Sequence, residues 1–307
     1  MKRFQFDKIE TMLIDPDTGS RDTLRMVLKN NGFREFRLGT TLADVTEQFA
    51  VRMPDLLICE ADLADGEFSE FLHGMRHQVV GTNPFLPVMA LSYNPTPELV
   101  KSIIGSGADD LVPKPVSAGR LIDRIKLLIE ARKPFVVTTD YVGPDRRKTS
   151  DREDTIPRVE VPNPLRAKAT GTKDIALDQK AMADAIAQIN LRKLERYAVQ
   201  IGVLTELIVP AYESGTFDQS VKDHVDQLKF VAEDTSRRLV GTKYLYISEL
   251  CDTLLSVVES IAASGGAAQA KDLKLLPNIA KAIEKTFDVK EDTEAIARKI
   301  SASVRNK

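Results

Sequence analysis

The chain has 307 residues, 43% of them hydrophobic and 29% charged, so it is long enough for two domains and can bury a sizeable core. Its formal net charge of -2 gives no reason to expect a polyanionic partner for the whole chain, and no run of 18 apolar residues is present to cross a membrane. Three histidines (His73, His77, His224) and two distant cysteines (Cys59, Cys251) leave no zinc-ligand spacing; no apolar segment follows the first basic residues, so no signal peptide is expected and a cytoplasmic protein is.

From residue 1 to 132 short β-like runs alternate with amphipathic helical stretches. The runs are "TMLID" (11–15), "EFRLGT" (35–40), "DLLICEA" (55–61), "LPVMALS" (86–92) and "DDLVPK" (109–114), with helical patterns at about 20–31, 42–52, 67–78, 96–106 and 117–131. Five strands, each followed by a helix, predict a doubly wound five-stranded parallel sheet covered on both faces, an α/β fold of flavodoxin-like type. Cys59 falls inside an apolar run and is expected as a buried structural thiol. Asp15, Glu60, Ser92 and Lys114 each end a different predicted strand, on the edge where open α/β sheets bind their ligands. Asp109 and Asp110 open the fifth strand at the other end and are expected on solvated surface.

Residues 133–173 are punctuated by Pro134, Pro144, Pro157, Pro162 and Pro164 and dense in charge at "GPDRRKTSDRED", which predicts a linker. Its basic segment, 144–152 with Arg146-Arg147-Lys148, leaves a docking role open. Residues 174–307 read as an all-α helical module. Met182, Ile186, Ile189, Leu194, Tyr197, Ile201, Leu204 and Ile208 form one apolar stripe, which Pro210 and "ESG" (213–215) are expected to end. Further helices are predicted at about 217–239, 243–263, 271–286 and 291–305, the last near a start at Asp288 and Asp292, and together they imply a helical bundle. The stripe is core by default, with a homodimer contact through this module as the other use.

The first segment resembles the receiver domain of two-component response regulators over about residues 9–131. "LID" (13–15), "PDLLICE" (54–60), "LPVMALS" (86–92) and "GADDLVPKP" (107–115) follow that family's strand-end motifs in order and at the right separations. The resemblance implies a phosphoacceptor position at Glu60, counted from Pro54 and again from "SEFLHGMR" (69–76). It implies a phosphoryl-sensing hydroxyl at Ser92, the family lysine at Lys114, and a magnesium-binding acidic pair of which only Asp15 is kept. Pro16 stands where the second acid would be, Ala64 replaces a usual proline, and Leu111 replaces a usual aromatic. Glutamate moves its oxygens about 1 Å or more relative to aspartate, and misplacement of that size slows an aligned reaction on the order of a hundredfold.

The expectation is therefore a receiver without ordinary aspartyl phosphorylation. No metal site is expected, Asp15 being the one carboxylate left for magnesium if the pocket still works. Glu60 either pairs with Lys114 in imitation of a phosphorylated state or simply holds the strand ends together. From residue 174 onward 18 Lys plus Arg face 20 Asp plus Glu, so no nucleic-acid partner is expected. No Gly-rich phosphate loop or cyclase signature is present, and His224 lacks the lysine and glycine that follow a phosphotransfer histidine, so no enzymatic output is expected. What remains is a signalling protein acting on protein partners, a histidine kinase or another signalling protein among them. The alternative is a phosphorylatable response regulator that takes its phosphoryl group from a histidine kinase and switches the helical module.

Overall fold

A computed structural model describes residues 4–147, 156–171 and 179–287, and the chain divides into two compact units, residues 1–186 and 187–307. The first unit is built on five parallel strands, β1 (Glu10–Ile14), β2 (Glu35–Gly39), β3 (Leu56–Glu60), β4 (Val88–Ser92) and β5 (Asp110–Pro113), in the order β2-β1-β3-β4-β5. Helices α1 (Thr18–Asn30), α2 (Leu42–Val51), α3 (Phe68–Arg76), α4 (Pro97–Gly105) and α5 (Ala118–Glu130) alternate with them. Every residue of β3 and β4 is buried, which is why these runs are continuously apolar rather than alternating. One apolar layer gathers Leu13, Leu56, Ile58 and Leu91 with Leu24, Leu28, Leu121 and Ile125 of α1 and α5. The other gathers Met12, Leu57, Cys59 and Ala90 with Val45, Leu72, Met75 and Ile103 of α2, α3 and α4. Helix starts are set locally: Asp17 caps α1, Thr41 and Asp44 form a capping box on α2, and Thr96-Pro97 and Ser117 open α4 and α5. The strand order reverses between β1 and β3, which places a crevice outside their carboxyl ends.

The predicted linker is, over its described residues, part of this unit. Phe135–Val137 (β6) pairs antiparallel with Val142–Pro144 (β7) and Arg158–Val159 (β8), and α6 (Pro164–Thr170) follows. Phe135 is buried edge-on to Phe85, and the guanidinium carbons of Arg76 and Arg132 stand 5.2 and 5.1 Å from its ring centre. Arg76, with no solvent exposure, donates from Nε to Gly107 O (2.9 Å), from Nη1 to Pro84 O and Leu86 O (2.6 and 2.8 Å), and from Nη2 to Asp109 Oδ2 (3.0 Å). Arg132 donates from Nε to Asp109 Oδ1 at 2.7 Å. Asp109 is thus a buried counter-ion rather than solvated surface, and Asp110 is buried against Arg124.

The basic segment is absorbed in the same way. Arg146 donates to the carbonyls of Ala108 and Asp109, and Arg147 and Arg158 both bind Asp145 at 2.8–3.0 Å. These contacts tie Arg146 and Arg147 to the first unit; Lys148 lies outside the described residues. Leu165 and Ala169 of α6 join the first apolar layer, Asn163 Nδ2 donates to Leu128 O (2.8 Å), and Gln5 N donates to Ala169 O (2.7 Å). Gly107 is needed for this closure: its φ is +98°, and a Cβ there would stand 2.7 Å from Val142 O.

Four long helices follow: α7 (Gln179–Glu213), α8 (Gln219–Leu239), α9 (Ser248–Ala263) and α10 (Ala270–Phe287). The second unit's core runs through Leu194, Ile201, Leu204 and Ile208, Val225 and Leu228, Leu254 and Val258, and Leu276 and Ile283. Pro210 does not end α7; it sits inside the last turn, and the helix closes at Ser214-Gly215, where Gly215 takes φ +71°. A proline one turn from the end forfeits a single backbone bond, which the packed stripe outweighs. Tyr197 Oη and Arg238 Nε both donate to the buried Asp234 at 2.8 Å, tying α7 to α8. The helix predicted at 291–305, with its start at Asp288 and Asp292, lies outside the described residues.

Candidate functional site

The carboxyl ends of β1, β3 and β5 bring together three of the four predicted residues. Asp15 follows β1, Glu60 is the last residue of β3, and Lys114 follows β5. Lys114 Nζ lies 2.5 Å from Asp15 Oδ2 and 2.5 Å from Glu60 Oε2, with all three side chains at most 5% exposed. One ammonium thus bridges two carboxylates. Ser20 Oγ also donates to Asp15 Oδ2 (2.8 Å), and Asp17 N donates to the other oxygen, Asp15 Oδ1 (3.0 Å). Glu60 Oε1 accepts from Ala61 N (3.1 Å) and Asp62 N (3.4 Å).

Burial alone would push the Lys114 ammonium down, but the bonds and charges of Asp15 and Glu60 outweigh it and hold the group above its ordinary value near 10.5. Burial pushes the neighbouring Cys59 thiol well up, with the charges of Glu60 and Asp15 adding to it, so it remains an inert thiol. Ser92, fully buried at the end of β4, does not join the bridge. Its Oγ makes a long 3.4 Å contact to Asp62 Oδ2 and accepts from Asn94 N at 3.1 Å.

Three further side chains surround these positions. Ser20, the third residue of α1, orients Asp15, Asp62 engages Ser92, and the ring of Tyr93, 58% exposed, stands 4.6 Å from Lys114 Nζ. Each lies within six residues of a strand end, and that proximity was the available signal. Asp17, one residue past Pro16, caps α1 by accepting from Gly19 N and Ser20 N.

A five-stranded parallel sheet in this order, with an acid, a hydroxyl and a lysine at its strand ends, defines an α/β module of the flavodoxin-like class. Residues 11–126 match the family profile "Response regulator receiver domain", and this part of the chain is a receiver domain. Among curated relatives, the chain is 29% identical over 118 residues to the KDP operon transcriptional regulatory protein KdpE of Escherichia coli, covering 38% of this chain and 50% of that one. It is 25% identical over 126 residues to the response regulator MprA of Mycobacterium tuberculosis, covering 41% and 53%. The chain spans about half the length of the curated relatives it matches. Among solved structures it is similar to a CheY-like response regulator receiver domain protein of Methanospirillum hungatei, at 23% identity and a TM-score of 0.35, covering 38% of this chain and 91% of that one.

Receiver chemistry calls for magnesium, and the residues present do not fit it. The ion demands near-octahedral oxygen ligands at about 2.0–2.1 Å. Pro16 offers no side-chain oxygen, and both carboxylates are engaged by Lys114, by Ser20 and by backbone N–H groups. Among the described residues no group of three or more His, Cys, Asp or Glu side chains is placed to hold a metal ion.

Proposed function

We propose that this chain is a cytoplasmic signalling protein whose receiver domain does not undergo ordinary aspartyl phosphorylation. It works without catalytic turnover, through protein–protein contacts made by the receiver and the helical unit. The observation that carries this reading is the Lys114 ammonium bridging Asp15 and Glu60, with glutamate at the phosphoacceptor position. Phosphoryl transfer to a carboxylate needs an in-line oxygen and a cation to offset the charge that accumulates. Here the oxygen sits on a longer arm, the second magnesium acid is absent at Pro16, and Asp15 and Glu60 are both held by Lys114. The pair holds the pocket in one state, so its message to a partner is constant rather than switched. Partners of matching chemistry are a histidine kinase or another signalling protein, and the near-neutral charge of residues 174–307 supports a protein rather than a nucleic acid.

The test is incubation of the full chain with magnesium and acetyl phosphate, or with beryllofluoride, read by intact mass and by fluorine resonance. No adduct is expected. A stoichiometric acyl phosphate at Asp62, Asp17 or Glu60 would overturn the reading and favour the phosphorylatable regulator. Glu60→Ala is expected to weaken capture of a receiver-binding partner about tenfold or more; unchanged capture would reduce Glu60 to a purely structural tie.

A further inference from the structure

The helical unit carries two exposed stripes that this reading leaves unassigned. On α10 the exposed positions Lys271, Lys274, Asn278, Lys281 and Lys285 recur at steps of three and four, opposite the buried Leu276, Ile279 and Ile283. Leu275 lies beside them, 41% exposed. None of the four lysines has an ion-pair or hydrogen-bond partner among the described residues. On α8 the exposed positions are Gln219, Ser220, Lys222, Asp223, Asp226, Phe230, Glu233 and Arg237; Asp223, Asp226, Phe230 and Glu233 recur at steps of three and four, with Phe230 55% exposed among the acids. The nearby Lys229 pairs with Glu259 of α9 at 3.0 Å, while the charges of Glu233 and Asp226 also act on it.

We infer that α10 of one copy docks on α8 of a second copy. The two stripes have the same spacing to the residue: Lys271, Lys274, Asn278 and Lys281 stand at offsets 0, 3, 7 and 10, as do Asp223, Asp226, Phe230 and Glu233. Laid in the same direction, they set three lysines against three carboxylates over about 15 Å, with Phe230 against Asn278 and Leu275. Arg237, which then comes opposite Lys285, is held by Asp234 of its own helix. Single exposed ion pairs contribute little, but three in register around a buried aromatic give a salt-sensitive contact with a defined seat. An anionic lipid surface is disfavoured because Leu275 is the one large apolar side chain that the lysine stripe could insert. The inference rests on the helical unit being a protein-contact module and is independent of the chemistry at Glu60.

Sedimentation velocity of the full chain tests it. At about 50 mM salt the mass is expected to rise with concentration, and at about 500 mM the chain is expected to be monomeric. Lys274→Glu/Lys281→Glu and Asp226→Lys/Glu233→Lys should each weaken association on the order of a hundredfold with unchanged circular dichroism. An equimolar mixture of the two variants should associate again. A wild type that stays monomeric at low salt, or variants that associate as the wild type does, would overturn the inference, as would a mixture that fails to recover. Retention of a short DNA or RNA duplex by the wild type and not by the lysine variant, without self-association, would assign the stripe to nucleic acid instead. None of these outcomes alters the acetyl phosphate result, so the two readings fail separately.

Discussion

Lys114 is the residue on which the pocket depends, because its one ammonium lies 2.5 Å from each of two buried carboxylates, Asp15 and Glu60. Removing it leaves Asp15 and Glu60 buried together without a cation. Lys114→Met is therefore expected to lower unfolding free energy by about 3–5 kcal/mol in urea titration, the range for stranding a buried charge. Lys114→Met combined with Glu60→Gln should recover part of that loss. The pH dependence has a definite sign. The folded state holds the ammonium above 10.5, so its stabilisation is complete below that value and is lost as pH rises through the raised value. Wild type should show an alkaline fall in stability that Lys114→Met lacks. At this scale the sequence was informative: strand-end counting picked out Asp15, Glu60 and Lys114, since sheet topology alone brings those positions together. Ser92 was assigned to the same cluster but faces Asp62, a choice of rotamer and loop path that no spacing encodes.

Among elements, the small sheet β7-β6-β8 was the one that sequence concealed. Its strands have two or three residues, too few for a period of two to register, and its prolines and charges imitate a solvated connection. Asp109 was misread for a related reason: its partners, Arg76 and Arg132, are 33 and 23 residues away. The acid is held below the usual carboxylate range because those two guanidiniums outweigh a large burial penalty. Phe135 joins this cluster to the small sheet, so Phe135→Ala is expected to cost about 3–5 kcal/mol by chemical denaturation. Gly107→Ala should also destabilise, because its left-handed backbone and the Val142 carbonyl leave a methyl group no room. Stability unchanged by both substitutions would show that the strap contributes nothing to folding.

For the molecule as a whole, two units were legible from the change of pattern between alternating strands and unbroken helices, whereas the boundary was not. A fragment ending at residue 132 would expose the faces that Phe135, Val137, Leu165 and Ala169 cover. Residues 1–132 are accordingly expected to melt about 10 °C below residues 1–171, since a loss of 1 kcal/mol shifts a domain of about 150 residues by about 2–4 °C and Phe135 alone is expected to contribute about 3–5 kcal/mol. Equal melting temperatures would return the segment to the status of a tether.

The Arg132–Asp109 pair has a practical consequence for building chimeras. Receiver modules invite exchange of outputs, and the end of α5 is the obvious place to splice. In this chain a junction there would graft foreign residues next to a buried guanidinium whose neighbours come from both sides of the cut. A swap that keeps everything through Gly171 leaves the pair and its covering strands intact, so the transplantable part here is one strap longer than the receiver sheet and its five helices.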